Sequence, residues 1–255
     1  MILEKILAEY PDILDEFVLT KNMSNSLEQR MLPEHFKRWS HEKEMTDYQT
    51  VAKTFKNQNG KYVIVVLMQN GIENYFRRTL AHELTHVVFF VQRDKYLLDK
   101  EFSNDTKKKI DSLFNVVSEY VCTKVECEVQ PEQEEVYDNI ETELKRLVNI
   151  YKSLLNKDEN TFQRGIQIAL AEFNCILIRH LGYCDGNRKE TVFDEEISSG
   201  IVFSLFEDSL IKRIAIVRTF SFDSDIVAIS NQLYEAGNEQ IDTFNKNIPK
   251  FYSKS

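Results

Sequence analysis

Residues 76–91 read FRRTLAHELTHVVFFV and contain the run His82-Glu83-Leu84-Thr85-His86. No Gly or Pro lies between Thr79 and Val91, and Leu80, Leu84, Val87, Val88 and Val91 recur at helical spacing. The stretch therefore predicts a helix with one apolar stripe to bury. Residues four apart stand one above the other on a helix. His82 and His86 then aim two imidazole nitrogens at one point, as tetrahedral Zn²⁺ requires. Glu83 follows the first histidine and can reach a water at that metal, the place of a general base. A surface helix with two incidental histidines would account for the spacing but not for so apolar a flank.

Composition narrows what can surround this helix. The 255 residues suffice for one large domain or two modest ones. Seven glycines and four prolines are too few for a many-stranded sandwich or barrel and favour helices. A net charge of −9 argues against nonspecific nucleic-acid binding and leaves no basic membrane patch. No run is long enough for a transmembrane helix. The opening MILEKILAEYPDILDEF alternates apolar residues with acids and lacks the form of a secretory signal. Cys122, Cys127, Cys175 and Cys184 form no C-x-x-C pair, which predicts free thiols and a cytoplasmic chain.

Residues 1–57 read as helices, from the spacing of Ile2, Ile6, Leu7, Tyr10, Ile13, Leu14 and Phe17 and from a second stretch at Ser26–His41 interrupted near Pro33. His35 and His41 lie among charged residues, as solvent-facing or supporting groups. Asn57–Gly60 predicts a turn, and the β-branched Lys61–Met68 predicts a strand, followed by Asn70-Gly71. That strand has two readings: an edge able to pair with an extended peptide, or a central core strand. Residues 92–108 are polar and read as a helix end with a loop.

In Lys109–Val129, Ile110, Leu113, Phe114, Val117, Val121 and Val125 make a further helical stripe, with Glu119 inside it among apolar neighbours. A buried carboxylate needs a compensating partner, and a zinc held by two histidines lacks a third protein ligand. Glu119 is the candidate for that role. Glu126, on the same broad face, is its rival, and Asp111 and Glu128 are weaker candidates. Cys122, one turn after Glu119, is small enough to let two helices approach.

H-E-L-T-H on one helix with Ser118-Glu119-Tyr120-Val121-Cys122 on a later one resembles the gluzincin arrangement of zinc metallopeptidases. Within that group the chain is most similar to the small bacterial ImmA/IrrE-like peptidases, over roughly residues 50–130. The resemblance implies one zinc per chain, with His82, His86 and Glu119 as ligands and Glu83 as general base. It also implies cleavage of a specific peptide or protein substrate. No Gly-x-x-His follows His86, which separates the chain from metzincins. Tyr120 points about 100° away from Glu119 and reads as core, with the substrate rim as its alternative. His180 reads as the C-terminal residue of a helix, with assistance to a transition state as its alternative.

The expected fold is α+β and predominantly α-helical: a zincin-like metallopeptidase core with a small β-sheet in residues 1–130, and a mainly helical region in 131–255. The acid-rich Pro131–Glu135 marks the boundary. Helices are expected at Val136–Leu155, Thr161–Leu181, Ile201–Ser221 and Asp225–Asn247, with a break at Gly182–Asn187 and short strands as an alternative at Ile201–Leu205 and Ile214–Val217. Two other functions share the motif: a metal-dependent hydrolase of non-peptide amides, and a regulatory protein that binds without turnover.

Overall fold

The computed structural model describes residues 12–45, 51–68, 72–98, 100–131 and 140–252. The chain is mostly helical with one small mixed sheet, an α+β arrangement dominated by helix. It divides into two compact units, Met1–Gln92 and Arg93–Ser255. Among the described residues, no helix is long and apolar enough to cross a membrane.

The first unit is built on strands β1 (Leu14–Thr20), β2 (Ala52–Lys56) and β3 (Tyr62–Leu67), in the order β1-β3-β2. β1 runs parallel to β3 and β2 antiparallel to it. The expected strand is thus present, and the central reading is the one realised. Both its sides are paired, so its backbone cannot receive an extended peptide. Val63, Ile64, Val65 and Val66 are at most 1% exposed, and burying each such side chain contributes about 1.5–3 kcal/mol.

Helices cover both faces of this strand. Helices α1 (Met23–Glu28) and α2 (Pro33–Met45) pack Met23, Leu27 and Trp39 against Phe55, Val63 and Val65. Helix α3 (Ile72–Leu98) places Val87 and Val91, with Leu84 and Phe90, against Tyr62, Ile64 and Val66. The apolar stripe of the motif helix therefore lies on the sheet, as its spacing requires.

The expectation of helices throughout residues 1–57 is corrected at both ends of the sheet. Leu14–Thr20 is a strand because Glu16–Thr20 pairs in register with Val63–Leu67, and this non-local ladder overrides a helix-like spacing. Ala52–Lys56 pairs with β3 across a turn at Asn57–Lys61. There Asn57 Oδ1 accepts from the amides of Asn59 and Lys61, and Gly60 adopts φ +75°. Pro33 opens α2 and supplies the expected interruption. The expected helix at Ile2–Tyr10 and the turn at Asn70-Gly71 lie outside the described residues, as does most of the Pro131–Glu135 boundary.

The second unit is helical: α4 (Asn104–Val129), α5 (Ile140–Leu154), α6 (Glu159–Gly186), α7 (Glu190–Ser198), α8 (Gly200–Arg218) and α9 (Ile226–Tyr252). α4 belongs here because it packs along α6 and α9, so the compact units differ from the expected division after residue 130. Ser103 caps α4 by accepting from the Thr106 amide, and Asp158 caps α6 through the Thr161 amide. Phe173, Phe206 and Phe244 stack in series at 5.3 and 5.6 Å between ring centres. The stretches Ile201–Leu205 and Ile214–Val217 are helical, not strands. Glu207 interrupts α8 with φ 49° and ψ −145°, a strained backbone for a non-glycine residue.

The expected break at Gly182–Asn187 is absent, and α6 runs on to Gly186. Its glycines allow α4 to approach closely. A Cβ at Gly182 would lie 2.5 Å from the Tyr120 carbonyl oxygen, and one at Gly186 would lie 2.6 Å from that of Lys124. Helix contact, not chain reversal, is therefore what these glycines serve. Gly182→Ala adds about 1–3 kcal/mol of overpacking, more than the roughly 1 kcal/mol of helix propensity it gains. The urea midpoint should fall with the slope unchanged. In Gly237→Ala, where nothing lies within 4 Å of the new Cβ, the midpoint should rise.

Candidate metal centre

α3 is helical across the whole motif, so the two imidazoles and the carboxylate occupy neighbouring positions around one turn. At 100° per residue, His82 and His86 project away from the sheet-facing stripe of Leu84, Val87 and Val91, and Glu83 lies on the flank between. His82 and His86 are 7% and 9% exposed. Their Nε2 atoms stand 3.2 Å apart. Two nitrogens bound at about 2.0–2.1 Å to one tetrahedral zinc would stand roughly 3.3 Å apart, so the pair fits a shared ion. A single proton between the rings would hold the same separation as a hydrogen bond.

Packing fixes the second imidazole. The His86 ring stacks on Phe90 at 5.6 Å and 16°, and Phe90 stacks on Tyr62 of β3 at 5.9 Å and 22°. The sheet thus orients a motif histidine through two aromatic rings. His82 meets His86 edge to face at 4.9 Å. Thr85 returns its hydroxyl to the Ala81 carbonyl and satisfies itself within the helix.

Glu83 is 7% exposed and is held from β2. Thr54 Oγ1 donates to Glu83 Oε2 at 2.5 Å and lies 3.2 Å from the Glu83 carbonyl oxygen. Thr54 pairs with Ile64 in the ladder, which turns its side chain toward α3. No sequence reading singled out Thr54. The two residues are 29 positions apart, and nothing in the composition of AKTFK marks a threonine as a partner. Among the described residues, no strand pairs with the outer side of β2, though the bridge Met31–Asn57 lies just beyond its end.

The acidic candidates lie in the second unit. Glu119 sits on α4, with its carboxylate 3.4 Å from Arg179 Nε of α6 in a partly exposed pair. An ion pair of that exposure is worth about 0–1 kcal/mol. Glu126 is half-buried near the end of the same helix, and Glu128 is exposed. Asp111 lies 3.7 Å from Arg93 Nε. Cys122 is fully buried on α4.

The remaining sequence candidates have other settings. Tyr120 is core: its hydroxyl donates to Asp185 at 2.8 Å, and Arg218 grips the same carboxylate at 2.8 and 3.0 Å. Burial, followed by the bond to Asp185, pushes the Tyr120 phenol well above its ordinary range. His180 does not end its helix, which continues to Gly186. It lies 2.9 Å from Glu196 Oε2 and 3.6 Å from Cys184 Sγ. Burial first, and then the charge of Glu196, push that thiol up to about 12, far from a nucleophile's range. His35 and His41 are exposed on α2. No protein-family model, curated protein or solved structure matches the chain.

Proposed function

We propose that this protein is a zinc-dependent peptidase of the gluzincin type, with Glu83 as general base. The observation that carries the reading is the buried His82–His86 pair with Nε2 atoms 3.2 Å apart, beside a buried carboxylate. His82 and His86 would hold the metal, with Glu119 as third protein ligand. Glu126 is its acidic rival, and Cys122 offers the other donor type that zinc accepts. A bound zinc supplies Lewis acidity toward a carbonyl oxygen and lowers the pKa of water. Glu83 takes the proton of the attacking water and delivers it to the departing amine. Water adds to the peptide carbon, the C–N bond breaks, and a carboxylate and an amine leave.

The sheet supports one placement of the substrate. β3 is enclosed, so the strand suited to receive an extended peptide is β2, the antiparallel neighbour that touches Glu83 through Thr54. By resemblance the substrate is a specific protein. The free cysteines support a reducing cytoplasm as the working compartment.

Metal removal tests the reading. Zinc-loaded protein should cleave members of a quenched-fluorescent peptide pool. Treatment with 1,10-phenanthroline should abolish cleavage, and stoichiometric zinc should restore it. Glu119→Gln, Glu126→Gln and Cys122→Ser, compared for zinc retention, identify the third ligand. Cleavage that survives chelation would sink the proposal. Hydrolysis confined to small non-peptide amides would favour the broader hydrolase.

A further inference from the structure

We propose that Thr54 is the positioning residue of the site, the group that fixes where the Glu83 carboxylate stands when it acts as base. The inference rests on the peptidase reading above. Glu83 has a long, rotatable side chain, and a general base must lie within hydrogen-bond reach of its proton. Thr54 restricts that freedom from outside the motif helix. Its own side chain is β-branched and therefore stiff at χ1. Its backbone is held in the ladder opposite Ile64, and it is 7% exposed.

The hydroxyl has one proton to give. The 2.5 Å contact with Oε2 takes it in preference to the 3.2 Å contact with the Glu83 carbonyl. One carboxylate oxygen is thereby tied to the sheet, which fixes the plane in which the base can meet the reacting water. The arrangement resembles the outer groups that orient metal ligands, except that the group oriented is the base. The same strand offers its outer side as the substrate platform. A threonine on β2 therefore links the position of the base to the position of the scissile bond, and a shift of β2 would move both together.

A threonine that only satisfied a buried carboxylate would matter for stability and not for turnover. The test separates these roles. Wild type, Thr54→Val, Thr54→Ser, Glu83→Gln and the double variant Thr54→Val/Glu83→Gln are compared as zinc-loaded proteins on one cleaved peptide from the pool. Zinc content and metal-free urea unfolding are measured alongside. Thr54→Val should lower kcat about 10–100-fold with KM and zinc stoichiometry unchanged. Thr54→Ser, which keeps the hydroxyl, should recover most of that loss. In the metal-free proteins the unfolding midpoints should be non-additive, because Thr54→Val removes the contact that Glu83→Gln only weakens to a neutral hydrogen bond.

Full kcat in Thr54→Val beside an inactive Glu83→Gln would overturn the inference while leaving the peptidase reading intact. So would a serine variant as impaired as the valine, or a loss confined to KM. A wild type that cleaves nothing, or a fully active Glu83→Gln, overturns the peptidase reading itself, and the positioning role falls with it.

Discussion

Protein made without a histidine tag, supplied with zinc and dialysed should retain about one zinc per chain, and His82→Ala should retain none. The imidazole of His82 projects away from the sheet, whereas Leu84, Val87 and Val91 bind α3 to it. The variant should therefore keep its helical circular dichroism while losing the metal. Zinc requires at least three protein donors to hold firmly, and removal of one histidine leaves His86 and a single further ligand. Elemental analysis reads the result directly. Equal zinc in both proteins would place the ion elsewhere on the chain. No zinc in the wild type would reduce the motif to a helix with two hydrogen-bonded histidines.

Glu83→Gln should separate metal binding from turnover. The amide matches the carboxylate in shape, and its oxygen can still accept from Thr54, so the buried contact survives. What it cannot do is take a proton from water. Zinc content should equal that of wild type, while cleavage falls about 10²–10⁴-fold. A binding protein would instead retain its whole phenotype in this variant. The comparison therefore distinguishes enzyme from non-catalytic regulator, provided zinc content is measured on the same samples.

The features legible in the sequence are those set by local spacing. The motif helix and its buried stripe follow from positions four apart, and β3 follows from a short β-branched run between turn residues. β1 was not legible, because Ile13, Leu14 and Phe17 fit helical spacing and only pairing with a strand far along the chain makes this segment extended. Gly182 and Gly186 carry the composition of a helix end, yet they lie inside α6 because α4 leaves no room for a Cβ. The link between Thr54 and Glu83 is likewise a tertiary fact. The two histidines could be paired from spacing alone, whereas the proposed acidic ligand belongs to another helix and no periodicity selects between Glu119 and Glu126.

The chain's only tryptophan, Trp39, is buried at 7% exposure under the first unit's sheet, beside Phe36. Indole emission is therefore a private signal of the unit that carries both histidines and Glu83. The helices α4 to α9 have no indole and speak chiefly through far-ultraviolet dichroism. Nature has in effect labelled the two halves with different colours. Unfolding followed through both channels at once reports whether the halves melt as one cooperative body or in sequence. A zinc that stabilises the motif helix would announce itself first in the fluorescence.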